Sequence, residues 1–189
     1  MTAGWKRLLP VGLVAAALWS QTDVKLDTPQ ARVVEIAAKG KQQASPLNRV
    51  LIFRDDGKIG GDEIKAGDVA WLLAGHPFEI KGKPVRIVEV EIKGTPQNPQ
   101  PPLSKLDAAT VDAAHYKVLF ENDQVRVLRV RYEAHEKGVL HEHLLNRVVV
   151  YLNDQAKMKA GDVRMAGAAT HTEENIGDQY AERIAVELK

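Results

Sequence analysis

An all-β fold in two similar blocks is what this sequence predicts, and three observations predict it. Short runs rich in β-branched residues recur along the chain, and over most of its length no amphipathic helical period competes with them. Two sets of strand words also return in the same order after a proline-rich interruption. The expected organisation is a leader at 1–21, a first β-unit at 24–94, a linker at 95–112 and a second β-unit at 113–189.

In the leader, Lys6 and Arg7 precede an apolar run from Leu8 to Trp19 that only Pro10 and Gly12 break. About a dozen apolar residues is too few for a membrane-spanning helix, which needs about 20, so the segment reads as an export signal. Ala15, Ala17 and Ser20 offer cleavage points, and an uncleaved anchor is the alternative. Export implies a periplasmic or secreted protein with no other membrane association.

The first unit opens with Arg32-Val33-Val34-Glu35-Ile36 and Arg49-Val50-Leu51-Ile52-Phe53. Asp55 to Lys58 and Gly60-Gly61 are turn chemistry, expected to form a hairpin with a loose tip. Lys65 to Val69 turns into the apolar run through Leu73, and Pro84 to Ile92 supplies a closing strand. Residues Gly94 to Pro102 hold four prolines and almost no hydrophobes, which makes a linker; Ser104 to Ala114 predicts a short helix.

The repeat is explicit in the second unit. Leu47-Asn48-Arg49-Val50 returns as Leu145-Asn146-Arg147-Val148, and Lys65-Ala66-Gly67-Asp68-Val69 as Lys159-Ala160-Gly161-Asp162-Val163. Glu35 with Lys39-Gly40 matches Glu133 with Lys137-Gly138 without a gap. Chance recurrence of common strand words is the plainer explanation, but order and spacing both agree.

Chemistry concentrates at His141-Glu142-His143. On a strand, residues two apart face the same way, so both imidazoles aim at one side of a sheet, and His171 from a later strand can complete a three-histidine metal site. Neutral imidazole suits zinc, iron, copper and nickel, and open positions on such an ion permit catalysis. Glu142 points the other way. The aligned first-unit positions are Gln43 and Ser45, with only His76 near the place of His171, so any metal belongs to the second unit.

Composition narrows the partners. A net charge of +1, from 26 basic and 25 acidic residues in 189, gives no field for nucleic acid, and a small neutral or singly charged ligand is expected. Without cysteine there are no disulfides, thiolate metal sites or cysteine nucleophiles. No phosphate-binding glycine loop, G-x-S-x-G elbow or H-E-x-x-H helix is present.

The second unit resembles the cupin superfamily of small jelly-roll β-barrels. The family's H-x-H motif, followed by Glu, is similar to His141-Glu142-His143. Its downstream motif, a Gly-led strand ending in His, is similar to Gly161-Asp162-Val163 running to His171, with Asn175 beyond. The resemblance implies two tandem jelly-roll barrels, the first degenerate, in a monomer with pseudo-dimeric blocks or a homodimer. It also implies a divalent cofactor, Fe, Mn, Zn or Ni, on His141, His143 and His171. The family's fourth ligand, a glutamate, would fall near Arg147 or Val148 and is missing, as in the thiol dioxygenase branch. An ion without that anion favours a substrate that is itself anionic.

Arg147 can clamp a substrate carboxylate, although the first unit keeps the same residue as Arg49. Tyr132 and Tyr151 can present phenols near the ion or serve as packing residues; Tyr151 joins Arg147 as the candidate substrate contact. Arg126, Arg129 and Arg131 read as a solvated face, His135 as a loop residue, and Glu173 and Glu174 as loop acids or supports for His171. The expected function is an exported metal-binding cupin, dioxygenase-like, acting on a small carboxylate or enolate. A non-catalytic periplasmic binding protein for a metal or small ligand is the alternative.

Overall fold

The computed structural model describes residues 22–97 and 104–189, so the leader and the middle of the proline-rich stretch lie outside the described residues. In the first half, β1 (Asp23–Asp27), β2 (Ala31–Gln42), β3 (Arg49–Phe53), β4 (Gly57–Ile59), β5 (Asp62–Ile64), β6 (Val69–Leu72) and β7 (Phe78–Ile92) form one antiparallel sheet. Its main order is β1-β2-β7-β3-β6, with the β4–β5 hairpin attached through β4 to β7.

The second half begins with a single helical turn, α1 (Ala108–Val111), and continues with β8 (Tyr116–Glu121), β9 (Val125–Tyr132), β10 (His141–His143) and β11 (Arg147–Tyr151). Strands β12 (Val163–Ala166), β13 (Ala169–His171) and β14 (Ala181–Leu188) complete it. Its five-stranded sheet runs β8-β9-β14-β11-β12, the same path as the first half, while β10 and β13 pair only with each other. The all-β expectation holds. Neither sheet closes on itself, because the β10–β13 ribbon is not hydrogen-bonded into the five strands.

Every residue of β3 and β11 is buried, and strand alternation sorts their side chains between two faces. Val50 and Ile52 meet Val148 and Val150 in a core between the two sheets. Leu51 and Phe53 face a core of the first half, while Val149 and Tyr151 face a core of the second. The sheets are therefore stacked back to back on a layer of Val, Ile and Leu. Each such side chain contributes about 1.5–3 kcal/mol by leaving water.

Contacts across this layer are reciprocal. Arg54 lies against Gly161, and Arg129 lies against Gly67; both glycines have positive φ, +94° and +87°, and a Cβ on either would strike the facing guanidinium. Asn48 Nδ2 donates to Gln124 Oε1 at 2.5 Å, and Asn146 Nδ2 to Gln30 Oε1 at 2.8 Å. The turns match as well: Asp56 accepts from the Ala66 amide and Lys65, as Asp154 does from the Ala160 amide and Lys159.

Two sequence expectations need correction. The Ile92 amide donates to Asn48 O and the Leu188 amide to Asn146 O, which makes Ile92 and Leu188 counterparts. Ala31 then corresponds to Val125 through strand register, and Glu35 to Arg129 rather than Glu133. Pairing with β7 and β14 fixes these strands at their starts, and the halves diverge beyond them. The second correction concerns the arginines of β9: Arg126 turns inward, its side chain only 18% exposed, because it alternates with Val125 and Val127. In the stretch expected to be a linker, Ala108 and Asp112 are buried against the second half.

Candidate metal centre

Strand β10 places His141 and His143 on one face, as its alternation requires, and pairing with β13 sets His171 directly across from His141. His141 is fully buried, His143 nearly so and His171 half-buried. Nitrogens of all three rings lie within 4.8 Å of one another. His141 Nε2 and His171 Nε2 are 3.2 Å apart. Two nitrogens each about 2.1 Å from one ion sit about 3.0 Å apart at a right angle and about 3.4 Å apart in a tetrahedron, so this spacing suits a shared ion.

The outer nitrogens have acceptors that fix the tautomers. His141 Nδ1 donates to the Val139 carbonyl at 2.9 Å and His143 Nδ1 to Glu187 Oε1 at 3.1 Å, leaving both Nε2 lone pairs for a ligand role. Burial holds His141 below the ordinary imidazole pKa, and His143 adds to this against the Val139 carbonyl. Burial lowers His171 too, with His141 contributing. Both rings are therefore neutral near pH 7, as metal binding needs. Three converging imidazoles, two of them with the outer nitrogen held by an acceptor, fit a divalent ion.

Glu187 is a residue that sequence reasoning missed. It is fully buried and ion-paired to Arg126 at 2.6 Å, and Arg126 also binds Asp107 at 2.6 Å. Burial alone would raise the Glu187 pKa, but hydrogen bonds from His143 and Arg126 outweigh it and hold the carboxylate ionised. A signal existed: Val90-Glu91-Ile92-Lys93 returns as Val186-Glu187-Leu188-Lys189, a carboxylate repeated within a buried strand.

The first half keeps this support without the histidines. Arg32 pairs with Glu91 at 3.0 Å, and Glu91 accepts from Ser45 Oγ at 2.7 Å where Glu187 accepts from His143. Gln43 presents its backbone carbonyl to Arg49, and His76 is exposed with Nδ1 near Ala74 O. Among the described residues, the histidine trio is the one cluster of potential ligands.

A small cavity of about 30 Å³ opens beside His143 and His171, lined also by Tyr116, Arg147, Glu173 and Arg183. Arg147 is buried, donates to Gly167 O at 2.6 Å, and among the described residues has no acidic partner within ion-pair distance. Burial lowers its pKa, with Glu187 opposing, but a guanidinium stays charged. Its counterpart Arg49 is ion-paired to Glu89 at 3.1 Å; pairing register puts Ala185 in the place of Glu89.

Tyr116 is a second unanticipated wall residue. Its hydroxyl donates to Glu173 Oε2 at 2.8 Å and lies 3.0 Å from His141 Nε2. Burial pushes this phenol far above its ordinary pKa, so it remains protonated. Glu173 is pushed up by burial but pulled down further by Arg183, Tyr116 and His171 together. Tyr151 lies one cavity further along, under Arg164. Tyr132 donates at 3.1 Å to Asp112, whose carboxylate lies 3.9 Å from His141 Nδ1, whereas Glu142 accepts from Ser104 at 2.5 Å on the other face of β10. His135 is exposed beside Asp178, Glu174 pairs with Lys137, and Asn175 donates to backbone carbonyls.

No family model matches the sequence, and no curated protein matches it. Solved structures do. A cupin 2 conserved barrel domain protein from Leptotrichia buccalis aligns over 89% of this chain and 88% of its own, at 14% identity and a TM-score of 0.52. A tryptophan-to-tyrosine variant of oxalate decarboxylase from Bacillus subtilis aligns over 89% of this chain and 75% of its own, at 13% identity and a TM-score of 0.61. This chain has the cupin fold. A further form of the Bacillus subtilis enzyme, studied for its Mn(II) centers, aligns over the same shares of the two chains at 12% identity with a TM-score of 0.60. In the cupin fold of this chain, the histidine trio sits on the β10–β13 ribbon, facing the inner side of the five-stranded sheet.

Proposed function

We propose that this protein is an exported, metal-dependent cupin whose second half acts on a small carboxylate, in dioxygenase-like fashion. One observation carries the reading: among the described residues, Arg147 is a buried cation beside His143 and His171 with no carboxylate of its own, while its counterpart Arg49 is neutralised by Glu89. A buried charge is costly without a partner, so an anion entering the cavity supplies what the protein omits. A divalent ion held by His141, His143 and His171 would polarise that anion and leave positions open for a second reactant.

The side chains have separable tasks. Arg147 binds and orients the carboxylate, Glu187 locks the His143 tautomer, and Tyr116 offers a protonated hydroxyl beside His141 Nε2. The matching strand orders and reciprocal contacts support a duplicated chain of two tandem barrels, 24–94 and 113–189, working as a pseudo-dimeric monomer. Tyr151 belongs to this reading as a substrate contact beyond the ion. The near-neutral charge supports a small-molecule ligand rather than nucleic acid.

The test is metal analysis followed by oxygen-uptake screening with small hydroxy and thiol acids. Bound iron, manganese, zinc or nickel that His141→Ala/His143→Ala loses, with turnover that Arg147→Leu loses, is the expected result. Turnover persisting in the double variant overturns the reading. A second reading, a protein that holds metal or a small ligand without turnover, is favoured by the cavity's size of about 30 Å³, and bound metal with no turnover would establish it.

A further inference from the structure

The inner face of the second sheet continues past the metal centre. Its rungs run from Glu187 and Arg147, through Ala185 and Val149, to Arg183 and Tyr151, and end at Ala181 and Tyr132. The first rungs floor the small cavity beside the histidines. The last rungs floor a separate, larger chamber of about 190 Å³. Arg164, Glu173 and Arg183 line both, so the two spaces share one wall.

The sizes constrain what can bind. One water needs about 10–15 Å³, so the metal cavity of about 30 Å³ admits roughly two oxygen-sized groups, the pair that a chelating acid presents. Anything larger must extend along the sheet. The chamber exceeds the roughly 150 Å³ known to take up benzene, and Tyr132, Tyr151, Met158 and Ile176 form its apolar part beside charged Arg164, Glu173 and Arg183. Ile176 is 73% exposed at this wall, so part of the apolar lining faces the opening. Arg164, over the Tyr151 ring at 5.9 Å, has no acidic partner within ion-pair distance among the described residues.

We propose that this chamber is the subsite for the body of the substrate, and that the substrate class is an α-hydroxy or α-keto acid carrying an apolar group of about one ring. This rests on the preceding reading, in which the acid end lies at Arg147 and the histidines. The acid end fills the small cavity, the ring lies over Tyr151 and Met158, and the link between them crosses the shared wall of Arg164 and the Arg183–Glu173 ion pair. On the corresponding face of the first half, Leu51, Phe53, Phe78 and Ile80 fill a packed core, and the space of about 390 Å³ beside Phe53 lies at its margin, against Leu119 and Arg129 of the second half.

Calorimetric titration of the manganese-loaded full chain with mandelate and with glycolate separates the subsite from the metal site, because both acids present the same chelating end and only mandelate carries a ring. Mandelate binding about 30-fold tighter or more is expected from burying the ring. Met158→Trp, which fills the chamber, should erase that advantage and leave glycolate unchanged; Ile176→Asp, at an exposed position, should reduce it without risk to folding. Equal affinities for the two acids overturn the chamber and leave the metal-and-arginine reading standing. Binding of neither acid overturns both. Mandelate preference that survives both variants places the ring elsewhere and overturns the chamber.

Discussion

The two halves answer one structural problem in two ways. Each has a β-sheet whose central strand carries a buried glutamate held by an arginine, Glu91 with Arg32 and Glu187 with Arg126. In the first half a serine hydroxyl completes the network, and the nearby Arg49 is matched by Glu89, so the charges are internally balanced. In the second half a histidine completes it, and Ala185 removes the counter-ion of Arg147. One half is internally balanced, and the other presents three converging imidazoles and a buried arginine without an ion-paired carboxylate among the described residues. That difference teaches that a candidate metal site need not bring its own scaffold: the supporting carboxylate is common to both halves, and what distinguishes them is three converging histidines and one missing acid.

Removing the ligands should break the contrast most completely. His141→Ala/His143→Ala is expected to lower metal affinity by well over 100-fold in elemental analysis, since support residues alone are worth about 10–100-fold. Retained stoichiometric metal would mean that the trio is not the site. Next in size, Arg49→Leu should cost about 3–5 kcal/mol in urea denaturation by stranding buried Glu89, whereas Arg147→Leu strands no carboxylate and should be near neutral or stabilising. Similar losses for both would erase the distinction between a paired and an unpaired arginine.

Glu187→Gln should weaken metal binding by about 10–100-fold, while Glu91→Gln leaves it unchanged. Titration of metal into the two variants measures this, and an equal effect would show that the carboxylates act only on stability. A smaller effect concerns pH in the metal-free protein. Because burial depresses His141 and His171, the unfolded chain binds more protons than the folded one as pH falls below about 6.5. Stability should therefore decline from that point through the depressed pKa values, and His171→Gln should flatten the decline. The smallest expected change is in Gln43→His/Ser45→His, which should gain no tight metal site, because exposed His76 is turned toward Ala74 O. Tight zinc binding there would show that the halves differ by less than their third ligand.

Much of the fold was legible because strands announce themselves locally. Leu47–Val50 with Leu145–Val148 and Lys65–Val69 with Lys159–Val163 fall on matching strands and turns, where side-chain alternation and an Asp-capped turn follow from near neighbours. The match of Glu35 to Glu133 failed because strand register is decided by partners far along the chain. Arg126 looked like surface for a related reason: it is flanked by valines, and only the approach of Glu187 and Asp107 makes the inward position tolerable.

By itself, the sequence determined the all-β class, the recurrence of strand words and the three imidazoles, because a period of two and an H-x-H spacing are local properties of a strand. The tertiary structure alone decided what surrounds those imidazoles. Glu187 and Tyr116 reach the trio from strands distant in sequence, and whether Arg147 is matched depends on the residue across a strand pair. Electrostatics and cavity shape depend on through-space distance, which chain order does not record.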